Sequence, residues 1–389
     1  MIKVANAEQD KNHESAKTIK EKRIILTGGG TAGHVLPNIA LLPYLEKEFS
    51  QIHYIGSEKG IEREIIKKHP HTQYHVIQTA KLRRSLSPKS IAKNLAMPFK
   101  VLSGIKQAKK ILKKIKPNII FSKGGFVAYP VVRAGAKLGI PVIIHESDLT
   151  IGLTNKVSTK YATQVLTSFE ETAQNLAEKL GEQRVKFVGT PLRQEIFQGR
   201  AEYVENLFGQ NSEPDRKKLL KKLLVIGGSL GAAKINHCIR DLVSSNKLSE
   251  WKIMHVVGKG KMAELENKNS NYIQVEYVDG IADAYAWADM VISRAGSGSI
   301  CELLVLRKPT LLIPLASGRG DQIENAKNMY FKGLMNVLFE ENLTPEILCE
   351  SLETQSNFAK DNFREEVEEI QEIHKNSAKR VANIIIKLS

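Results

Sequence analysis

Short apolar runs recur along the chain, each closed by glycine or a polar turn, and most lead into a helix-period pattern. They are RIILTGGG (23–30), IHYIGS (52–57), IIFSKGG (119–125), PVIIHES (141–147), KKLLVIGGS (221–229), KIMHVVGKG (252–260), MVISRAGSGS (290–299) and PTLLIPL (309–315). Strand-length apolar blocks that end in glycine and alternate with helices predict parallel sheets buried on both faces. The pattern starts twice: RIILTGGGTAGH opens one series and KKLLVIGGSLGAAK opens another about 200 residues later. Between them runs a polar segment over 189–220 that contains proline and charge. The expectation is an α/β chain of two Rossmann-like, doubly wound domains facing each other across a cleft. Domains are expected over 22–190 and 191–370, and 371–389 forms a C-terminal helix that closes the second domain or packs back on the first. Residues 1–21 lack a continuous apolar core; they read as a disordered extension and not as a secretory signal.

Composition sharpens this picture in one respect. With 42% apolar and 25% charged residues the chain of 389 is ordinary for a globular protein, but its net charge is +15. That surplus points to an anionic partner: nucleic acid, an anionic membrane or a phosphorylated substrate. Much of it lies in KLRRSLSPKSIAKNLAMPFKVLSGIKQAKKILKKIK (81–116), which has twelve Lys or Arg and no Asp or Glu. Interleaved at mostly helical spacing are Ile91, Leu95, Phe99, Leu102, Ile105, Leu112 and Ile115, with Pro98 placed to start or kink a helix. Packing on the first sheet accounts for Leu112 and Ile115. A face carrying only positive charge also suits an anionic membrane surface, through Leu95, Phe99, Leu102, Ile105, Lys106, Lys109, Lys110 and Lys113. Nucleic acid is disfavoured, because the segment has one aromatic and no nucleic-acid-binding motif. Three scattered cysteines exclude a disulfide framework or a thiolate zinc site and suit a reducing compartment, and no run approaches the length of a membrane span.

Three glycine-rich loops fall where open parallel sheets bind ligands, at strand carboxyl ends: Gly28–Gly33, Gly227–Gly231 and Gly296–Gly298. Glycine lets backbone N–H groups approach an anion, and a helix N-terminus adds a favourable field. Gly28, Gly30 and Gly33 match the dinucleotide spacing G-x-G-x-x-G, but that reading wants an acid at the tip of the second strand about 20 residues on. The strand ends IHYIGSEKG instead, with Glu58 beyond a Gly-Ser pair. His34, directly behind the first loop, is a candidate general base. Glu302, one turn into the helix after the third loop, can accept from vicinal hydroxyls. Asp321, Gln322 and Asn325 in GRGDQIENA are typical partners of sugar hydroxyls. There is no D-x-D, so metal-dependent binding of a nucleotide-sugar diphosphate has no evident ligands.

Taken together, GGGTAGHVLP (28–37), FSKGGFVAYPVV (121–132), GIPVIIHESDLTIGLTNK (139–156), GTPLR (189–193), GGSLGAAKIN (227–236), DAYAWADMVISRAGSGSICEL (283–303) and GDQIENA (320–326) resemble the MurG family of glycosyltransferase family 28. These motifs occur in the family's order across nearly all of 22–389. The resemblance implies a GT-B fold and an inverting, metal-independent transfer of N-acetylglucosamine from UDP-N-acetylglucosamine, without a cofactor. The acceptor would be the undecaprenyl-linked muramyl-peptide (lipid I), met by a peripheral enzyme on the cytoplasmic face of the cell membrane. By matched position, Thr31, Ala32 and Gly33 would face the sugar and acceptor diphosphate, and His34 would deprotonate the acceptor hydroxyl. Ser229, Gly228, Ser297, Gly298 and Ser299 would meet the donor diphosphate, Glu302 the ribose, Val278 the uracil and Gln322 the sugar, with Arg193 at the domain junction. Ala32 stands where the family often has glycine, so its backbone must avoid positive φ. Asp148 replaces an asparagine assigned to the donor site, and Asp321 the first of a Gln-Gln pair. The alternatives are another GT-B enzyme, such as a lipid glucosyltransferase or nucleotide-sugar epimerase, and a non-enzymatic basic adaptor.

Overall fold

The computed structural model describes residues 21–81, 87–209, 220–228, 231–264, 270–317, 319–358 and 365–389. Apart from Glu21, the extension expected over 1–21 lies outside them, as does Ser229. The first half forms a seven-stranded parallel sheet from β1 (Arg23–Thr27), β2 (Gln51–Gly56), β3 (Thr72–Val76), β4 (Ile119–Ser122), β5 (Val142–Glu146), β6 (Gln164–Thr167) and β7 (Val185–Phe187). Their order is β3-β2-β1-β4-β5-β6-β7. The second half forms a six-stranded parallel sheet from β8 (Lys221–Ile226), β9 (Trp251–Val256), β10 (Tyr272–Val275), β11 (Met290–Ser293), β12 (Thr310–Leu312) and β13 (Asn336–Val337), ordered β10-β9-β8-β11-β12-β13. In both, strand order reverses beside the first strand, so crevices open at the carboxyl ends of β1 and β4 and of β8 and β11.

Helices cover both faces of each sheet. On one face of the first sheet lies α1 (Leu36–Leu45); α2 (Ile61–Ile66) and α3 (Pro88–Leu95) follow β2 and β3. On the other face α4 (Met97–Ile115) and α5 (Ala128–Lys137) pack side by side, followed by α6 (Leu153–Ser158) and α7 (Glu170–Leu180). The second sheet carries α8 (Ala201–Leu207), α9 (Ala233–Ser244), α10 (Ile281–Trp287), α11 (Ser297–Val305), α12 (Asp321–Phe331) and α13 (Pro345–Phe358). Helix α14 (Glu365–Lys375) packs on α11, and the chain then returns to the first sheet as α15 (Ser377–Leu388), which lies on α1. The apolar stripe of α15, Ala378, Val381, Ala382 and Ile385, is buried in one cluster with Ile39, Leu42 and Leu45.

Close backbone approach shapes the first crevice. Gly125, after β4, has φ +76°, and a Cβ there would stand 2.1 Å from the carbonyl oxygen of Gly29. At this point the loops after β1 and β4 therefore meet backbone to backbone. Helix α4 starts at Met97–Pro98, where proline's missing N–H costs nothing. It buries Ala108, Leu112 and Ile115 and turns its first half outward.

Because α15 supplies core to a sheet formed some 350 residues earlier, its side chains stabilise the first half of the chain. Ile385→Ala is expected to cost about 2–4 kcal/mol. Urea denaturation with protease cuts mapped in 22–190 would register it, and an unchanged midpoint would show α15 to be dispensable.

Candidate functional site

The first crevice is built on the loop after β1. Thr31 is extended, and Ala32–His34 form a single 3-10 turn leading into α1. The left-handed residue in this loop is Gly30, at φ +90°, whereas Ala32 does not have positive φ. Tyr54 donates to the carbonyl of Gly28 at 2.9 Å, and Asn38 bonds Tyr54 at 3.2 Å, so the loop rests on a buried polar support. The acid missing from the second strand's tip arrives from α2 instead. Buried Glu62 accepts from Gly30 N–H at 3.2 Å, Ser57 N–H at 3.1 Å and Ser57 Oγ at 2.5 Å. Its carboxylate packs against Gly29 and Gly60, where a Cβ would clash. Spacing alone sets Glu58 aside and does not single out Glu62, although Gly60-Ile-Glu62 at a helix start is a local signal. His34 is half-buried and its Nδ1 lies 2.9 Å from Thr31 Oγ1, which orients the ring.

The second crevice faces this loop. Helix α11 opens after Gly296 with Ser297, Gly298 and Ser299 in its first turn, and Ser297 is buried. Asp148, from the loop after β5, crosses the seam to it: its side chain bonds Ser297 and accepts from Asn325 Nδ2 at 3.2 Å. Asn325 Oδ1 accepts from Leu149 N–H at 2.9 Å. Thr150 donates to Asp321 at 3.0 Å, and Asp321 pairs with Arg319 at 2.7 Å. Asn328 and Lys332 of α12 both reach Glu171 of α7, at 2.9 and 2.6 Å.

The other expected donor residues fall into four positions. Glu302 accepts from buried Tyr285 at 3.2 Å and lies within the field of Arg193, so two residues 109 positions apart in the sequence share one corner. Gln322 uses its Oε1 to accept from Leu315 N–H at 3.0 Å, leaving its amide N–H₂ for a ligand. Gly228 lies in the loop after β8 at φ +82°, accepting from Gly231 N–H. Val278 stands apart, beyond β10, half-buried against the second core.

Electrostatics separate the two sides. Burial lowers the pKa of His34 to about 4, helped by Lys123 and Arg319 and opposed by Asp321 and Glu62. Burial raises both Asp148 and Glu302; hydrogen bonds from Asn325 and Ser297 oppose the first shift, and Arg193 with Tyr285 the second. Among the described residues no three His, Cys, Asp or Glu side chains converge as metal ligands.

At the junction of α3 and α4, Leu95 ends α3 at 72% exposure, and α4 presents Phe99 and Leu102 at 76% and 57%, with Lys106 and Lys110 exposed on its next turns. Ile105 departs from the expected patch, because it turns partly into the core beside Ala108. Lys109 is half-buried, and Lys113 is exposed near the far end of α4. No helix among the described residues is long and apolar enough to cross a membrane.

Residues 24–167 match the glycosyltransferase family 28 N-terminal domain and residues 222–381 its C-terminal domain. A protein of Lachnoclostridium phytofermentans is 44% identical over 92% of this chain and 96% of its own length. One from Staphylococcus aureus is 45% identical over 85% and 89%. Both are named UDP-N-acetylglucosamine–N-acetylmuramyl-(pentapeptide) pyrophosphoryl-undecaprenol N-acetylglucosamine transferase. Among solved structures, Acinetobacter baumannii MurG superposes with a TM-score of 0.69 at 25% identity, covering 94% of this chain and 99% of that one. A Neisseria meningitidis UDP-GlcNAc 2-epimerase shares the fold at a TM-score of 0.59 and 13% identity, with 94% and 100% covered. The two facing sheets are the GT-B fold.

Seven histidines, His34, His53, His69, His75, His145, His255 and His374, are held below their usual pKa, chiefly by burial. As pH falls from about 6.5 toward 4, the unfolded chain takes up protons that the native chain refuses, so stability falls with pH. Each such group contributes at most about 1.4 kcal/mol per pH unit. The urea midpoint should drop steeply between pH 6.5 and 4.5, and a flat profile there would contradict the burial of these rings.

Proposed function

The chain belongs to glycosyltransferase family 28, and from that premise we propose that it makes lipid II from lipid I. It moves N-acetylglucosamine from UDP-N-acetylglucosamine to the 4-hydroxyl of undecaprenyl-diphospho-N-acetylmuramyl-peptide. One observation carries the chemistry. His34, on a loop of the first sheet, lies within the field of Arg319 and Asp321 of the second half, which Thr150 joins across the seam while Asp148 reaches Ser297 at the N-terminus of α11.

His34 serves as the base. In the tautomer whose Nδ1–H donates to Thr31 Oγ1, Nε2 is free to accept the hydroxyl proton as O4 attacks the anomeric carbon. The new C1–O4 bond forms on the face opposite the breaking C1–O bond to UDP, which inverts the centre. Helix α11 turns its first N–H groups, through Ser297, Gly298 and Ser299, toward the departing diphosphate. Gly228 and Ser229 border the same anion, Arg193 lies behind it, Glu302 takes the ribose hydroxyls and Val278 borders the base. Gln322 and the amide of Asn325 hold the sugar. Thr31, Ala32 and Gly33 face the acceptor diphosphate. With these donors in place, the transfer is read as metal-independent and free of any cofactor.

The exposed start of α4 is the surface that rests on an anionic leaflet, where the acceptor's lipid lies. Its lysines attract that surface at about 1 kcal/mol each. This makes the enzyme peripheral, on the cytoplasmic face, with no role for nucleic acid. The epimerase alternative shares only the fold, and the closer relatives are all transferases by name.

Purified enzyme should transfer sugar to a lipid-linked muramyl-peptide from UDP-N-acetylglucosamine, at a rate unchanged by EDTA; no turnover on that pair would overturn the reading. His34→Ala should lower kcat by about 10²–10⁴. Glu302→Gln should raise the donor KM about tenfold or more, given about 1.5–3 kcal/mol for hydrogen bonds to a charged group. A bound diphosphate offsets the nearby cations, so the acid limb of kcat should lie at higher pH than that of kcat/KM. Changing Lys106, Lys109, Lys110, Lys113 and Lys114 to Gln should weaken binding to phosphatidylglycerol vesicles yet spare turnover on a soluble acceptor. Equal loss of both would make the segment structural.

A further inference from the structure

Lys123 directly follows β4 at the crevice of the first sheet, and it is 1% exposed. Its backbone N–H donates to Thr27 O at 2.9 Å, and Gly28 backs its Cβ, so it forms the floor of the loop that carries His34. Its Nζ donates to His145 Nδ1 at 2.6 Å and to Ser147 Oγ at 2.5 Å. An ammonium only donates, so His145 keeps its proton on Nε2, which donates to Gly189 O at 2.9 Å. That carbonyl belongs to the segment that leads to the second sheet. Glu146 and Asp148 stand close enough to favour the charge, yet among the described residues no carboxylate oxygen comes within 4 Å of Nζ.

Packing does not explain such a group. A buried cation with no carboxylate in contact is costly, and methionine fills similar space without a charge. What the charge does touch, through space, is the site. His34 is faced by Thr31 in its own turn, Glu62 from α2, Lys123 from the loop after β4, and Arg319 with Asp321 from the start of α12. The two carboxylates favour the imidazolium; Lys123 and Arg319 oppose it, and Lys123 acts the more strongly of the two cations.

We infer that Lys123 is a positioning residue of the transfer: its ammonium, fixed beneath the glycine loop by His145 and Ser147, adds to burial in disfavouring the His34 imidazolium and so extends to lower pH the range in which the ring can take the acceptor's hydroxyl proton. The same anchor holds the tip of β5, from which Asp148 reaches α11. The inference rests on the proposed role of His34 as base and adds the residue that keeps it ready.

The test follows the His34 ring by NMR in the ligand-free full-length protein with ¹³C-labelled histidine, assigned through His34→Gln. In wild type the ring should titrate near 4. In Lys123→Met it should titrate about one pH unit higher, and in Lys123→Arg close to wild type. The acid limb of kcat/KM should move by the same amount in Lys123→Met and stay put in Lys123→Arg. If Lys123→Met does not fold by circular dichroism, Lys123→Gln, which can still donate to His145 or Ser147 without a charge, takes its place. A His34 titration unmoved in the folded neutral variant overturns the inference and leaves the role of His34 standing. A moved titration with an unmoved kinetic limb overturns the base role itself, and with it the part assigned to Lys123.

Discussion

Two separately built sheets become one site at the side-chain amide of Asn325. Its Oδ1 takes the N–H of Leu149, while its Nδ2 donates to Asp148 at 3.2 Å and to Ala295 O at 3.3 Å. Asn325 is fully buried, and all of these partners belong to the loops that border the cleft. An amide can serve a peptide N–H, a carboxylate and a carbonyl at once because it carries both polarities, which no charged side chain does. Losing it would leave the Leu149 N–H without its partner across the seam, at about 1–3 kcal/mol, and the Asp148 carboxylate with Ser297 but without its amide donor. The start of α12, held down this way, brings Arg319 and Asp321 to His34. Position and charge at the site therefore both descend from this clamp.

Around the clamp, carboxylates serve as internal fillers of backbone N–H clusters. Glu62 takes those of Gly30 and Ser57, and Glu146 takes those of Ser147, Asp148 and Gly152. Each stiffens a loop that glycine alone would leave loose. Beyond their reach lie the N-terminal N–H groups of α11 and those of Ala32 and Gly33, one set on each side of the seam. Together with Lys123, Arg193 and Arg319 these form a lining that favours anions. The depressed pKa of His34 belongs to the same arrangement: an imidazole placed among groups arranged for phosphate sheds its proton before the ligand arrives.

Much of this was legible in the chain. The eight apolar runs became β1, β2, β4, β5, β8, β9, β11 and β12, and their glycine ends mark the crevices. The strands without such a signal, β3, β6, β7, β10 and β13, are short; four of them flank their sheets, where half-exposed positions dilute the apolar pattern. At the site, His34 and Glu302 could be singled out because loop position and residue chemistry coincide. Glu62 could not, because the Gly30 N–H it holds lies 32 residues away and only the β1–β2 pairing brings the two close, while its nearer partner Ser57 gives no sign of that loop. Lys123 reads as one more basic residue in a basic chain; burial alone sets it apart. Ile105 was misplaced for the converse reason: spacing puts it on the apolar face of α4 but does not say where along the helix that face leaves solvent.

The direction of α4 ties the membrane surface to the chemistry. The chain leaves β3 at the carboxyl edge of the first sheet, and α4 ends at Ile115, whose carbonyl accepts from Arg23 at the start of β1. Helix α4 therefore runs from the carboxyl edge to the amino edge. Gly104 confirms the placement, since a side chain there would meet the carbonyl of Gln78 just beyond β3. The exposed end, with Leu95, Phe99 and Leu102, consequently lies at the same edge as the loop bearing His34, and the buried end lies away from it. Under the proposed function an acceptor can keep its lipid in the leaflet while its diphosphate reaches Thr31–Gly33. A patch at the opposite end of α4 would require the acceptor to leave the bilayer, at about 0.8 kcal/mol for each CH₂ exposed. For a long polyprenyl chain that cost exceeds anything the loop could return, so the apolar residues have to sit where this helix direction puts them.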